Sequence, residues 1–129
     1  MMGLSWLSSC SGIYYVRGIV TDNRLQISKG AFVKENNTKN PFRKYVLVKP
    51  EGFEFPLVVT RVDDSTYSAY LLKCTHQGNE LRVSGDIFTC FAHGSEFNNR
   101  GEVLRGPAEH HLKSFPVTVE ENIISIMLA

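Results

Sequence analysis

Two short segments of the chain contain the residues whose types and spacing could do chemistry. Cys74 and His76 are separated by one residue, and Cys90 and His93 are separated by two. Each segment therefore offers one thiolate and one imidazole, which are side chains that bind transition metals. The pattern C-x-H followed by C-x-x-H predicts a metal centre with four protein ligands.

The residues between these two segments predict how the segments meet. Strand-forming residues at Leu81–Val83 and Ile87–Thr89 flank the turn sequence Ser84-Gly85-Asp86. Two short strands around a turn that contains glycine are typical of a β-hairpin. We expect this hairpin to bring the two ligand segments side by side.

The ligand segments and the residues after them resemble the Rieske family of [2Fe–2S] proteins. Gly78 follows the first histidine, and Gly94-Ser95 follows the second, at the positions usual in that family. Downstream, Gly101–Ala108 is similar to the strand and proline loop that cover the cluster in quinol-oxidising members. The resemblance extends roughly from Tyr45 to Met127, and the motifs that carry it are specific.

The resemblance implies a cofactor and a set of ligands. One [2Fe–2S] cluster per chain is expected, with Cys74 and Cys90 on the inner iron and His76 and His93 on the outer, more exposed iron. Ser95 occupies the position whose hydroxyl bonds a bridging sulfide in high-potential relatives. Rieske clusters have reduction potentials of about −150 to +300 mV, against about −400 mV for plant-type clusters. No catalytic residue is predicted.

The chain departs from the high-potential relatives at three positions. Phe97 stands where they have a tyrosine whose hydroxyl bonds a ligand-cysteine sulfur. Asn79 and Ala92 stand where they have a disulfide that joins the two ligand loops. Hydrogen bonds to cluster sulfurs raise the reduction potential. We therefore expect an intermediate potential, and these substitutions do not favour direct quinol oxidation.

Other uses of the same residues remain open from the sequence. A zinc-bound structural or interaction module is the alternative from another class, because two cysteines and two histidines also suit tetrahedral zinc. Common zinc sites group Cys with Cys and His with His, however, whereas here each segment mixes them. A nucleophilic pair of Cys74 and His76 would leave the second pair unexplained. His110 and His111 are interpreted as surface residues.

Composition and periodicity predict the fold class. The chain has 129 residues, of which 43% are hydrophobic and 21% charged, as expected of one folded domain. No apolar stripe with helical spacing occurs, so we predict an all-β domain of the Rieske fold, with antiparallel sheets and an inserted cluster-binding subdomain. Besides the hairpin, the candidate strands are Ile13–Val20, Tyr45–Val48, Phe55–Val62, Thr66–Leu72, Phe115–Val119 and Ile123–Met127.

The predicted domain boundaries divide the chain into two parts. Residues 13–129 are expected to form a single Rieske domain, with a cluster-binding subdomain at about residues 72–100. Residues 30–43 are predicted to be a solvated loop. Residues 1–12 are interpreted as the remnant of a signal or lipoprotein segment, or as a disordered start.

The first residues contain a motif similar to the lipobox of bacterial lipoproteins, Leu7-Ser8-Ser9-Cys10. In that family, the signal segment is cleaved before the cysteine, which then carries a lipid. A lipid anchor at Cys10 is therefore one interpretation. The other is an ordinary partly buried cysteine, because no Lys or Arg precedes Cys10 and signal peptides begin with basic residues.

Taken together, the residues predict a one-electron carrier or an electron-transfer subunit rather than a stand-alone catalyst. Redox protein partners are expected to dock near His76 and His93. The preferred interpretation is an envelope-associated respiratory component that faces the periplasm. The alternative is a cytoplasmic Rieske ferredoxin that feeds an oxygenase or reductase. A formal net charge of +1 does not favour nucleic acid as a partner, and no apolar run reaches the roughly 20 residues of a membrane span.

Overall fold

The computed structural model describes residues 13–34 and 39–129. The predictions for residues 1–12, including the lipid anchor at Cys10, lie outside the described residues. No helix in the described part of the chain has the length and apolarity needed to cross a membrane. The elements are a 3-10 helix at Lys29–Phe32 and the strands β1 Tyr15–Val16, β2 Ile19–Thr21, β3 Arg24–Ser28, β4 Tyr45–Val48, β5 Leu57–Asp63, β6 Thr66–Leu71, β7 Arg82–Ser84, β8 Ile87–Thr89, β9 Glu96–Asn98, β10 Val103–Arg105, β11 Ser114–Phe115, β12 Val117–Glu120 and β13 Ile123–Met127.

The strands form three sheets, which confirms the all-β prediction. The central sheet has the strand order β1-β4-β5-β6-β11, and a second sheet has the order β12-β13-β3-β2. The third sheet, β10-β9-β8-β7, contains the predicted hairpin. Neighbouring strands are antiparallel except for β1, which pairs with β4 in parallel.

The central sheet is buried on both faces. Val46 and Val48 of β4 belong to a core shared with the second sheet, whereas Leu47 between them belongs to a core shared with the third sheet. Successive side chains of a strand point to opposite faces. A strand covered on both faces is therefore a continuous apolar run rather than an alternation, as in the sequence of β4.

The third sheet and the predicted ligand segments form an insertion in the central sheet. The chain leaves that sheet after β6 and rejoins it at β11, which pairs with β6 in an antiparallel register. The backbone N–H of Leu71 donates to the carbonyl of Lys113 at 2.9 Å, where the chain leaves and returns. This arrangement confirms the predicted antiparallel sheets with an inserted subdomain. The numerical boundaries of that subdomain stay a prediction.

Two predicted strands are each interrupted in the structure. Ile13–Val20 contains β1 and β2, with Arg17 and Gly18 between them. A side chain at Gly18 would collide with Leu25, so the chain crosses closely over β3 at this point. Phe115–Val119 is divided at Pro116, which has no N–H to donate to a ladder.

The structure also contains a strand that the sequence analysis missed, β3 at Arg24–Ser28. It lies between β13 and β2, and its residues Leu25 and Ile27 are buried. Its hairpin with β2 turns at Asp22 and Asn23, whose φ angles of 53° and 61° are those of a two-residue hairpin turn. The five-residue alternation that follows this turn was not recognised as a strand.

We predict that Thr60→Val leaves the fold intact and raises the free energy of unfolding by about 1 kcal/mol. The Thr60 hydroxyl is buried and has no hydrogen-bond partner among the described residues, so valine removes a desolvated polar group at nearly constant volume. Urea unfolding of both proteins measures the difference. Thr118→Val on the exposed side of β12 is the control and should change stability by less than about 0.5 kcal/mol. A destabilised Thr60→Val protein would contradict the prediction.

Candidate metal centre

The first ligand segment folds as a closed loop, residues 74–79, which we call the first loop. The N–H of Cys74 donates to the carbonyl of Asn79 at 2.8 Å, and the N–H of Gly78 donates to the carbonyl of Cys74 at 2.9 Å. Gly78 has a φ of 78°, a backbone conformation that glycine adopts without strain. The sequence therefore closes this loop through its own backbone, with the cysteine at the point of closure.

The second ligand segment, residues 90–95, repeats this pattern and is called the second loop. The N–H of Cys90 donates to the carbonyl of Ser95 at 2.8 Å, and the N–H of Gly94 donates to the carbonyl of Cys90 at 2.8 Å. Gly94 has a φ of 82°. The two loops thus have the same spacing of cysteine, glycine and closing carbonyl, although their histidines stand at different distances from the cysteine.

The predicted hairpin places the two loops next to each other. Strands β7 and β8 pair with Arg82 opposite Thr89 and Ser84 opposite Ile87, so the first loop precedes the hairpin and the second loop follows it at the same end. A further antiparallel bridge joins Lys73 to Glu80 at the base of the first loop. The hairpin prediction made from the sequence is confirmed.

The four predicted ligands divide by burial. Cys74 and Cys90 are 2% and 1% exposed and belong to the same hydrophobic core. His76 and His93 are exposed, and their ring centroids lie 5.4 Å apart with the rings at 87° to each other. The loops therefore place two thiols in the interior and two imidazoles together at the surface.

This arrangement fits a cluster of two irons by its chemistry. Such a cluster takes two ligands on each iron, here an inner pair of sulfur donors and an outer pair of nitrogen donors. Within residues 13–34 and 39–129, no three Cys, His, Asp or Glu side chains surround one point as the ligands of a single ion would. A two-iron cluster does not require such a group.

Hydrogen bonds at the hydroxyls of Ser95 and Thr75 join the two loops to residues 106–110, which include the proline of the predicted proline loop. The Oγ of Ser95, which is fully buried, accepts a hydrogen bond from the N–H of Ala108 at 3.0 Å. The Oγ1 of Thr75 donates to the carbonyl of His110 at 2.7 Å. The peptide bond between Gly106 and Pro107 in this segment is cis. Each loop therefore contributes one hydroxyl that forms a hydrogen bond with the backbone of this segment.

The remaining residues that the sequence analysis singled out lie as follows. Phe97 is fully buried in the core beneath the second loop, whereas Asn79 and Ala92 are exposed. His110 and His111 are exposed, as predicted.

Two features of the site were not found from the sequence. Thr75 was passed over, although a hydroxyl residue between the cysteine and the histidine is a signal that could have suggested a hydrogen bond across the loop. Phe91 in the second loop is 67% exposed, and the guanidinium of Arg82 lies over its ring at 4.6 Å. An exposed aromatic ring next to a predicted ligand is not visible in the sequence pattern alone.

Comparison with known proteins decides the family. The family model described as "Rieske [2Fe-2S] domain" matches residues 30–116, which is more than half of the chain. The chain belongs to the Rieske [2Fe–2S] domain family. The resemblance noted from the sequence and the predicted [2Fe–2S] cofactor are thereby confirmed. The zinc alternative is set aside because the family binds an iron–sulfur cluster.

Two curated relatives differ in the kind of protein in which the Rieske domain occurs. The cytochrome b6-f complex iron-sulfur subunit of Cyanothece sp. is 35% identical over 74 residues, which are 54% of this chain and 41% of that protein. The anthranilate 1,2-dioxygenase large subunit of Burkholderia cepacia is 36% identical over 56 residues, 40% of this chain and 13% of that protein. The matches therefore span less than half of either curated relative.

Among solved structures, the plasma membrane Rieske protein PetC3 of Synechocystis PCC 6803 is similar. The two chains are 28% identical with a TM-score of 0.54, and the match covers 64% of this chain and 85% of that one. This likeness supports the Rieske fold observed here.

Proposed function

We propose that Cys74 and Cys90 bind the inner iron of the [2Fe–2S] cluster and that His76 and His93 bind the outer iron. Three observations support this assignment: the thiols are buried in one core, the imidazoles lie together at the surface, and both loops close by the same backbone hydrogen bonds. The chemistry of two sulfur and two nitrogen donors is that of the Rieske ligand set.

The proposed activity is one-electron transfer between protein partners, with the cluster as the carrier when it is bound. The observation that carries this proposal is the exposed pair of imidazoles at His76 and His93 above two buried thiols. The core around the two thiols excludes solvent from the proposed sulfur ligands. The exposed imidazoles leave a short path for the electron to a docked protein. A redox partner therefore docks over the two histidines.

The proposed location is the cell envelope, where the chain serves a respiratory partner. The names of two relatives support it, one a subunit of the cytochrome b6-f complex and the other a plasma membrane Rieske protein. A lipid on Cys10 would hold the domain there with its cluster facing the periplasm. The second candidate is a Rieske ferredoxin of an oxygenase system in the cytoplasm, which the match to the anthranilate dioxygenase large subunit favours.

We predict that the purified protein contains iron and acid-labile sulfide in equal amounts and gives a Rieske-type EPR signal after reduction. Cys74→Ala and Cys90→Ala should lose the iron and the sulfide because each removes a thiolate from the inner iron. His76→Ala and His93→Ala should lose the Rieske signal.

The third cysteine supplies a matched control for these variants. Cys10→Ala removes a thiol outside the proposed ligand set and should keep full iron, sulfide and EPR intensity. An iron-free protein that binds zinc stoichiometrically, or a Cys10→Ala protein that loses the cluster, would refute the ligand assignment.

We predict that Ser95→Ala lowers the midpoint potential. The Ser95 hydroxyl accepts a hydrogen bond from Ala108 and keeps its own hydrogen for a cluster sulfur, and such a bond stabilises the reduced state. A loss of about 1 kcal/mol between the two oxidation states corresponds to about 40 mV for one electron. The variant should also be less stable, since the N–H of Ala108 loses its acceptor.

Protein-film voltammetry measures the potential, and Ser125→Ala is the control. Ser125 is also a buried serine, but it lies in β13 of the second sheet. Its replacement should leave the potential unchanged. Equal potentials for wild type and Ser95→Ala would exclude Ser95 from the hydrogen bonds around the cluster.

We predict that the native protein sediments with membranes and that Cys10→Ala moves it to the soluble fraction, because multiple acyl chains give stable membrane attachment. Fractionation of cells that express each protein at native level, followed by immunoblotting, tests the location. Wild-type protein recovered from the cytoplasm would favour the ferredoxin alternative instead.

A further inference from the structure

A cavity of about 650 Å³ adjoins the first loop and carries positive charge at its walls. Lys73, His110 and Lys113 line it together with Thr75 and His76 of the first loop, and no residue of the second loop takes part. We call this cavity the lysine groove. It therefore borders only one of the two exposed imidazoles of the proposed metal centre.

The ammonium groups of the two lysines in the groove lie near aromatic rings and not in ion pairs with carboxylates. The Nζ of Lys73 lies 5.8 Å from the ring centroid of Phe55, and the Nζ of Lys113 lies 5.3 Å from that of Phe115. Ammonium groups interact favourably with aromatic faces at about this distance and keep their full charge. The ion pairs found among the described residues involve other cations, so neither ammonium group is in a direct ion pair there.

Two acidic residues that neighbour the groove residues in pairing or in sequence do not line the groove. Glu80 stands opposite Lys73 across the bridge at the base of the first loop, but it lines a different cavity together with Arg82. Glu109 precedes His110 and is exposed outside the groove. The walls of the lysine groove therefore carry charges of one sign.

Another cavity of similar size has a different charge pattern. It lies where the central sheet meets the far end of the hairpin and has a volume of about 680 Å³. Its walls combine Lys44, Arg61 and Arg100 with Asp86 and Glu102. The walls of this second cavity therefore carry both signs of charge, whereas those of the lysine groove include no carboxylate.

The electrostatic field at this surface is set by the charged side chains around the proposed metal centre rather than by an oxidised cluster. Two ferric ions, two sulfides and two thiolates sum to zero charge, and neutral imidazoles add none. An oxidised cluster with the proposed ligands would therefore contribute little field at the surface. The charged side chains around the two histidines, those of the lysine groove among them, would set the field that an approaching protein meets.

We propose that the lysine groove receives an acidic surface of the redox partner, so that the partner reaches His76 from the side of the first loop. The proposal rests on the proposed function, because it names the kind of protein that exchanges electrons at the exposed histidines. Carboxylates of the partner would pair with Lys73 and Lys113 and orient the two proteins. Such pairing chiefly raises the association rate and depends on ionic strength.

The first test compares the double variant Lys73→Gln/Lys113→Gln with Lys44→Gln. Lys44 is an exposed lysine paired with Asp86 at the turn of the hairpin, at the end opposite the two loops. The reduced protein is oxidised in stopped flow by ferricyanide, an anion, and by tris(phenanthroline)cobalt(III), a cation. At low ionic strength, the double variant should react about threefold or more slowly with ferricyanide, and salt should remove the difference.

The cationic reagent and the control complete this test. The double variant should not react more slowly with the cobalt complex, and Lys44→Gln should behave as wild type with both reagents. Equal ferricyanide rates for wild type and the double variant would overturn the proposal. The EPR signal of every variant is recorded first, so that loss of the cluster, which would count against the proposed function, is distinguished from a change in docking.

The second test measures binding rather than electron transfer. Isothermal calorimetry should detect binding of poly-L-glutamate to the wild-type protein at low ionic strength, and the double variant should bind it at least several-fold more weakly than Lys44→Gln does. Equal binding by all three proteins would overturn the proposal. Phosphatidylglycerol vesicles are the competing probe: if they, and not poly-L-glutamate, bind through the two lysines, then the groove faces a lipid surface and the proposal is wrong.

Discussion

One constraint organises the structure, which is that two thiols are buried in one core while two imidazoles lie exposed beside each other. Both loops achieve this with the same pair of backbone hydrogen bonds. Each cysteine donates its N–H to the carbonyl five residues later and accepts from the glycine four residues later. The loop closes without help from other elements, so Cys74 and Cys90 can point into the core while His76 and His93 stay at the surface.

The rest of the fold supplies the interior into which the thiols point. The central sheet has one core on each face, and the core that contains Cys74 and Cys90 is separated from the other by the strands themselves. Fully buried Phe88 and Phe97 fill that core below the loops. Burial of large aromatic side chains is worth about 1.5–3 kcal/mol each, so the packing that stabilises the insertion is the same packing that desolvates the proposed sulfur ligands.

How much of this could be predicted from the sequence depends on the range of each interaction. The ligand loops and the hairpin were predicted because local signals specify them, such as Gly78, Gly94 and the turn at Gly85. The contacts of Ser95 with Ala108 and of Thr75 with His110 join residues 13 and 35 positions apart, and no local pattern encodes them. Strand β3 was missed because only two of its five residues, Leu25 and Ile27, are apolar, and the other three are not typical strand formers.

The two sides of the metal centre differ in the chemistry that they present. Beside the second loop, Phe91 is exposed and its ring is held by the guanidinium of Arg82. Beside the first loop, the lysine groove presents cations that rings hold in place. Aromatic contacts mainly contribute affinity at interface centres, whereas charges mainly contribute orientation and association rate. A redox partner of the kind proposed above, if it contacted both sides, would be oriented across the line that joins His76 and His93, whereas either contact alone would leave that direction free.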